Sequence, residues 1–133
     1  MRALLDAAHM HHARATQWLQ QEIGHGWASC PLTQNGCLRI MAQSAYPQAL
    51  PLAAVASRLA QAAAHPAHAF LADDYSLLDA GQLHWQHLLG YRQITDSYLL
   101  GLVVRHQCRF VSFDARLSFN AVPGARPEHL ITL

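Results

Sequence analysis

The sequence of 133 residues is short of charge and of long apolar runs. Only 13% of its residues are charged, and nine basic against eight acidic side chains leave a formal net charge of +1. This balance excludes the broad basic field of a dedicated nucleic-acid binder, so binding of phosphate would need a local basic patch and bound metal ions. No apolar run approaches the roughly 20 residues of a membrane span, and the first residues do not resemble a signal peptide. We therefore expect one soluble, cytoplasmic domain over residues 1–133.

Cysteine is also scarce and shows no metal-binding or disulfide pattern. Cys30, Cys37 and Cys108 form no CxxC pair and are odd in number. Cysteines of this kind in a cytosolic chain are usually reduced and pack as small apolar side chains. We expect that role for all three.

Apolar residues are abundant, at 52%, and fall into segments of helical and strand-like spacing. Helices are predicted over 8–23, 33–41, 52–64 and 96–106, and strands over 27–30, 67–72, 109–113 and 129–133. Thr33 and Thr95 are the expected N-caps of their helices. Strands separated by helices favour an α/β fold with a parallel sheet flanked by helices on both faces.

Acidic side chains follow two predicted strands and begin one predicted helix. Asp114 directly follows the third strand, Asp73 and Asp74 follow the second, and Asp96 begins the last helix. In open α/β sheets, ligands bind beyond the carboxyl ends of the strands. Carboxylates that converge there suit Mg²⁺ or Mn²⁺, which can activate water against a phosphodiester. A carboxylate at a helix start is also commonly a cap, so the pattern alone leaves both roles open.

Four segments resemble, in order, motifs of a single protein family. Residues 30–40, C-P-L-T-Q-N-G-C-L-R-I, resemble C-P-L-T-E-N-G-F-L-R-I, and residues 90–100, G-Y-R-Q-I-T-D-S-Y-L-L, resemble G-x-R-Q-V-T-D-A-Y-L-L. Residues 110–114, F-V-S-F-D, are similar to L-V-T-F-D, and residues 6–12, D-A-A-H-M-H-H, resemble D-P-x-H-x-H-H. Together these motifs are specific, and they are those of one branch of the VapC-type ribonuclease toxins, which are PIN domains.

The resemblance implies a PIN-like α/β domain with Mg²⁺- or Mn²⁺-dependent endoribonuclease activity. It further implies a homodimer that cleaves RNA through metal-activated water and is inhibited by a small antitoxin encoded beside it. The family's metal site draws acidic residues from four places. Asp96 and Asp114 match two of them and are the expected metal ligands and catalytic residues. Gln34 stands where the family has glutamate, so it offers an amide oxygen without a negative charge and cannot act as a base.

The fourth acidic place, at the end of the family's first strand in L-L-D-x-N-V-L, has no match. The chain begins instead with Ala3-Leu4-Leu5, which resembles the tail of a helix, followed by Asp6. Asp6 matches a later aspartate of the family and is expected to cap the following helix. Loss of a central strand would leave its neighbours unpaired, so we expect Met1 to be an internal or misassigned start. A genuine truncation and a decayed gene are the alternatives, and in each case we expect weak activity or none.

Several polar residues lie close to the acidic motifs in the sequence. Arg39 and Arg116 are candidate RNA phosphate contacts, with ordinary solvation as the alternative. Asn35, Thr95 and Ser112 are candidate supporting residues that could orient water or a ligand.

The remaining candidates receive structural interpretations. Asp73 and Asp74 are expected to be helix caps, and Trp18, Trp27 and Trp85 to be core or dimer surface. The histidines at 9, 11 and 12 lack a fourth tetrahedral ligand and are expected to be solvated, and those at 84 and 87 to be half-buried.

Two further functions compete with the ribonuclease. One is a catalytically dead PIN domain that binds an antitoxin or RNA without cutting it. The other is a histidine-rich metal-binding protein unrelated to nucleases.

Overall fold

The structure, a computed structural model, describes residues 1–47, 49–114 and 116–133, without the side chain of Arg2. The chain forms two compact units, Met1–Asp73 and Asp74–Leu133, and each is described by itself. None of the helices in these ranges is long and apolar enough to cross a membrane.

The first unit alternates helices with two short strands. It contains α1 (Arg2–Leu5), α2 (His12–Glu22), β1 (Trp27–Ser29), α3 (Pro31–Met41), α4 (Leu52–Ala63) and β2 (His68–Phe70). β1 and β2 pair in parallel, with Trp27 opposite His68 and Ser29 opposite Phe70. A parallel pair requires a long crossover, which α3 and α4 supply here.

The core of the first unit lies between α3 and α4. Each helix contributes two buried side chains four residues apart, and this spacing places both on one helix face. They are Cys37 and Met41 from α3 and Val55 and Leu59 from α4. α3 thereby gains a fixed position, with its first turn directly after β1.

The second unit is built around one buried helix. It contains α5 (Ile94–Arg105), β3 (Phe110–Ser112) and β4 (Leu130–Thr132), with short 3₁₀ turns between them. β3 and β4 pair in parallel, with Phe110 opposite Leu130. The seven consecutive residues Ser97–Val103 of α5 are all buried, as expected for a helix that is apolar on every side.

Most elements lie where the sequence predicts them, with differences at their ends. α2 begins at His12 and not at residue 8, because residues 7–11 form turns. Thr33 is not the N-cap of α3, since that helix begins at Pro31 and Cys30 occupies the capping position. Proline suits the first position of a helix because its φ is already helical and it has no N–H to leave unpaired. The Thr33 hydroxyl instead accepts the Cys30 N–H at 2.9 Å.

Thr95 is likewise not a cap. α5 begins one residue earlier, at Ile94, and Gln93 before it already has helical backbone angles. The 3₁₀ turn Tyr91–Gln93 therefore runs directly into α5.

The predicted α/β class and the parallel strand pairing are confirmed, although every strand has only three residues. The described residues form two separate two-stranded sheets, one in each unit. A single central sheet flanked by helices on both faces stays a prediction.

Candidate functional site

Asp96 and Asp114 of the second unit are brought within electrostatic range of each other. Asp96 is half-buried in the first turn of α5, and Asp114 lies two residues beyond the end of β3. Burial raises the pKa of Asp96, and the negative charge of Asp114 raises it further. A divalent cation would stabilise the ionised form of a carboxylate that burial and a second negative charge disfavour. This donor pair therefore fits Mg²⁺ or Mn²⁺.

Asp114 has a second neighbour that acts in the opposite direction. The Arg116 guanidinium donates from Nε to Oδ1 and from Nη2 to Oδ2, both at 2.9 Å, and the Arg116 backbone N–H donates to Oδ1 at 2.9 Å. These hydrogen bonds and the positive charge lower the pKa of Asp114 to about 2. Asp114 is consequently ionised at any pH at which the protein would work.

Ser112 helps to hold Asp114 in place. Its hydroxyl accepts the Asp114 backbone N–H at 3.0 Å, which closes a tight turn at the end of β3. The predicted role of Ser112, to orient water or a ligand, stays a prediction.

Gln93 is a structural partner of this site that sequence reasoning missed. Its amide oxygen accepts the Leu89 N–H at 3.0 Å, and its amide nitrogen donates to the Arg116 carbonyl at 3.1 Å. One side chain therefore joins the segment before α5 to the turn that carries Asp114 and Arg116. The available signal was the match of residues 92–96 to R-Q-V-T-D, but only the fold shows what the glutamine contacts.

Gln34 belongs to the first unit, where it lies in the first turn of α3. Its amide nitrogen donates to the Ser29 hydroxyl at 2.9 Å. The Ser29 oxygen in turn lies 2.8 Å from Nε2 of His68. With the nitrogen engaged by Ser29, the amide oxygen is the atom of Gln34 that could ligate a cation.

Ser29 and His68 were not predicted as functional residues. Ser29 is buried, at 3% exposure, and sits at the end of β1. His68 on β2 also packs against Trp27, with ring centroids 4.3 Å apart. The parallel pairing of β1 with β2 brings Ser29 and His68 together, and no short sequence motif predicts this contact.

The other predicted site residues are exposed. Asn35 follows Gln34 on α3, and Thr95 precedes Asp96 on α5. Arg39 lies in the last turn of α3, where the helix dipole also favours a cation. Arg116 contacts Asp114, and its side chain is 82% exposed.

The acidic residues assigned as caps differ in outcome. Asp73 accepts the Leu32 N–H in the first turn of α3 at 3.2 Å, so it is a helix cap as predicted. Asp74 is not, because it lies 3.2 Å from the Arg105 guanidinium at the end of α5 and pairs with it.

Asp6 does not cap α2, which starts six residues later. Its carboxylate instead accepts the Ala8 N–H at 3.0 Å and the Tyr46 hydroxyl at 2.6 Å. The hydrogen bond from Tyr46 lowers its pKa. Asp6 thus links the turn at Ala8 to Tyr46, which is distant in sequence but lies in the same unit.

The histidines form no alternative metal centre in the described part of the chain. Within it, no three His, Cys, Asp or Glu side chains are grouped so as to hold an ion. His12 is bound to the Ala3 carbonyl at 2.7 Å, and His9 lies against His11.

The interpretation of His84 and His87 as half-buried is wrong, since both are exposed, as is Trp85. The segment between residues 76 and 90 contains mostly turns, which leave few neighbours to cover them. Trp18 and Trp27 are half-buried, Cys30 and Cys37 are buried, and Cys108 is half-buried.

Comparison with known proteins gives several similar sequences. Ribonuclease VapC44 of Mycobacterium tuberculosis is 43% identical over 131 residues, which cover 98% of this chain and 92% of that protein. Ribonuclease VapC38 of the same organism is 40% identical over 133 residues, with the same coverage, and ribonuclease VapC39 is 33% identical over 117 residues. No protein-family profile and no solved structure matches the chain.

Proposed function

The chain belongs to the VapC family of ribonucleases, and from this premise we propose that it is a divalent-metal-dependent endoribonuclease toxin of a toxin–antitoxin pair. The metal dependence is supported by the presence of Asp96 and Asp114 in one unit, where the charge of Asp114 adds to the effect of burial in raising the pKa of Asp96. Asp96 lies in the first turn of α5 and Asp114 two residues beyond β3, and the family motifs predict a metal ligand at both positions.

Asp96 and Asp114 are the residues that would hold Mg²⁺ or Mn²⁺. When bound, the ion supplies a water nucleophile at neutral pH and stabilises charge on the phosphodiester. Asp114 is kept ionised by Arg116 and oriented by Ser112, so it presents a fixed negative charge. Asp96 is half-buried, so its ionised carboxylate would attract a bound cation more strongly than a fully solvated one would.

Gln34 stands where the family has glutamate, and its neutral amide offers an oxygen but no charge and no general base. Arg116 and Arg39 would contact RNA phosphates, with Asn35 and Thr95 as polar neighbours. Changes beside metal ligands typically cost about 10–100-fold in affinity or activity, so the loss of a ligand's charge should cost at least as much. We therefore propose that cleavage by this chain is weak.

A restored carboxylate tests this function directly. We expect Gln34→Glu to increase the rate of RNA cleavage in Mn²⁺ by at least about tenfold. The matched control is Gln43→Glu, which adds the same charge at an exposed position of the same unit and should leave the rate within about twofold. Asp96→Ala should abolish cleavage in both backgrounds.

The assay also separates the second candidate function, a catalytically inactive domain that binds an antitoxin or RNA. The neutral amide at Gln34 is the observation that favours it. If neither the chain nor Gln34→Glu cleaves RNA, and an antitoxin binds without metal, the endoribonuclease proposal fails and the binding module replaces it.

The remaining proposals concern the whole protein. We propose that residues 1–133 form one PIN-like domain with a central parallel sheet, that two copies form a homodimer, and that a small antitoxin inhibits it in the cytoplasm. Membership of the VapC family supports these proposals.

A further inference from the structure

We propose that Arg116 is a built-in counter-ion of Asp114 that competes with the divalent cation for this carboxylate. The inference rests on the proposed function, because it concerns the metal site formed by Asp96 and Asp114. It adds a regulator of that site which belongs to the chain itself.

The hydrogen bonds of Asp114 nearly saturate its carboxylate. A carboxylate offers about four lone-pair positions on its two oxygens. Oδ1 accepts both the Arg116 backbone N–H and Nε, and Oδ2 accepts Nη2. Hydrogen bonds from the described residues thus leave one position, on Oδ2, so a cation that needs more of Asp114 must displace the guanidinium.

The guanidinium can leave without disturbing the carboxylate. The side chain of Arg116 is 82% exposed, so it has solvent to move into. The Asp114 backbone stays bound to Ser112, and the Arg116 carbonyl stays bound to Gln93. Asp114 thus remains in position for a metal while Arg116 remains beside the site, available to an RNA phosphate.

The bidentate pairing should make the effect of Arg116 on metal affinity large enough to measure, and the solvent exposure of its side chain should keep that effect small. Two parallel N–H···O bonds are the strongest pairing that an arginine makes with a carboxylate. Exposed ion pairs nevertheless shift equilibria by only about two- to fivefold. We expect the effect of Arg116 on metal affinity to fall within that range.

The test measures Mn²⁺ binding by electron paramagnetic resonance of the free ion, with no RNA present. Arg116→Gln removes the positive charge and the paired hydrogen bonds to Asp114, whereas Arg116→Lys keeps only the positive charge. Arg126→Gln is the matched control, since Arg126 is also exposed, lies in the same unit and pairs with Glu128 at 3.7 Å. We expect Arg116→Gln to tighten Mn²⁺ binding by about two- to fivefold, Arg116→Lys by less, and Arg126→Gln not at all.

Three outcomes overturn the proposal. If Mn²⁺ binds but Arg116→Gln leaves its affinity unchanged or weaker, only this inference fails. An equal gain in Arg126→Gln would show a general effect of charge, which also contradicts it. If none of the proteins binds Mn²⁺, the proposed metal-dependent function fails and the inference fails with it.

Discussion

Asp96 and Asp114 are chemically identical side chains that the fold places in opposite environments. Asp96 is half-buried and faces a like charge, so its pKa is raised. Oδ1 of Asp114 accepts the backbone N–H and Nε of Arg116, and Oδ2 accepts its Nη2, so the pKa of Asp114 falls to about 2. As the pH falls, Asp96 is therefore protonated before Asp114.

This difference predicts the pH dependence of metal binding. We expect Mn²⁺ affinity to weaken as the pH falls through the raised pKa of Asp96, while Asp114 stays ionised down to a pH of about 2. Titrations of Mn²⁺ between about pH 3.5 and pH 7 would measure the change. Asp96→Asn should bind weakly with little pH dependence over this range, and a strong dependence in that variant would contradict the assignment.

The same shift has a consequence for stability, with the opposite sign from an ordinary ion-paired aspartate. A carboxyl whose pKa is higher in the folded than in the unfolded state lowers stability once the pH exceeds both values. Without metal, Asp96→Asn should therefore unfold at a higher temperature than the parent at neutral pH. The gain should disappear as the pH falls below the ordinary aspartate value of 3.8.

At the scale of elements, α5 positions Asp96 because its middle is buried on every side. Tyr75 lies close to the α5 backbone at Gly101, so a Cβ added at that position would meet the Tyr75 hydroxyl. That hydroxyl donates to the Tyr98 carbonyl at 2.6 Å, and the two tyrosine rings stack with centroids 4.6 Å apart. The tyrosine pair and the glycine thus form one packed layer against the helix.

Gly101→Ala is accordingly expected to destabilise the protein by about 1–3 kcal/mol, because overpacking outweighs the roughly 1 kcal/mol that alanine gains in helix propensity. Urea unfolding measures the change. Gly24→Ala is the control, since no atom lies within 4 Å of the added Cβ there. In a Tyr75→Phe background the penalty should shrink, and an undiminished penalty would show that the hydroxyl is not the obstacle.

At the scale of the whole molecule, a metal bound only by the folded site must stabilise folding. At a Mn²⁺ concentration of one hundred times Kd, the gain is about 2.7 kcal/mol. A chain of this size should then unfold about 5–10 °C higher. Differential scanning fluorimetry with increasing Mn²⁺ measures this shift.

The shift should vanish in Asp96→Asn and persist in Asp79→Asn. Asp79 is an exposed aspartate of the same unit that accepts the Ser76 N–H at 3.4 Å, away from the proposed ligands. An equal Mn²⁺ shift in both variants would place the ion elsewhere on the protein.

Much of the local organisation could be predicted because it depends on residues that are neighbours in sequence. Helical spacing and the positions of glycine and proline located α3, α4 and α5 to within a few residues. The acidic motifs proposed Asp96 and Asp114 as metal ligands, and that assignment stays a prediction. Helix starts were less predictable, since Pro31 and the turn before α5 replaced the expected threonine caps.

The sequence by itself determined the VapC resemblance, the parallel α/β pattern and the neutral side chain at Gln34. The tertiary structure decided how these residues behave. It joined Gln34 to Ser29 and His68, placed Gln93 between two segments, and gave Asp96 and Asp114 opposite shifts in pKa. These properties depend on burial and on charges that are distant in sequence, so they exist only once the chain has folded.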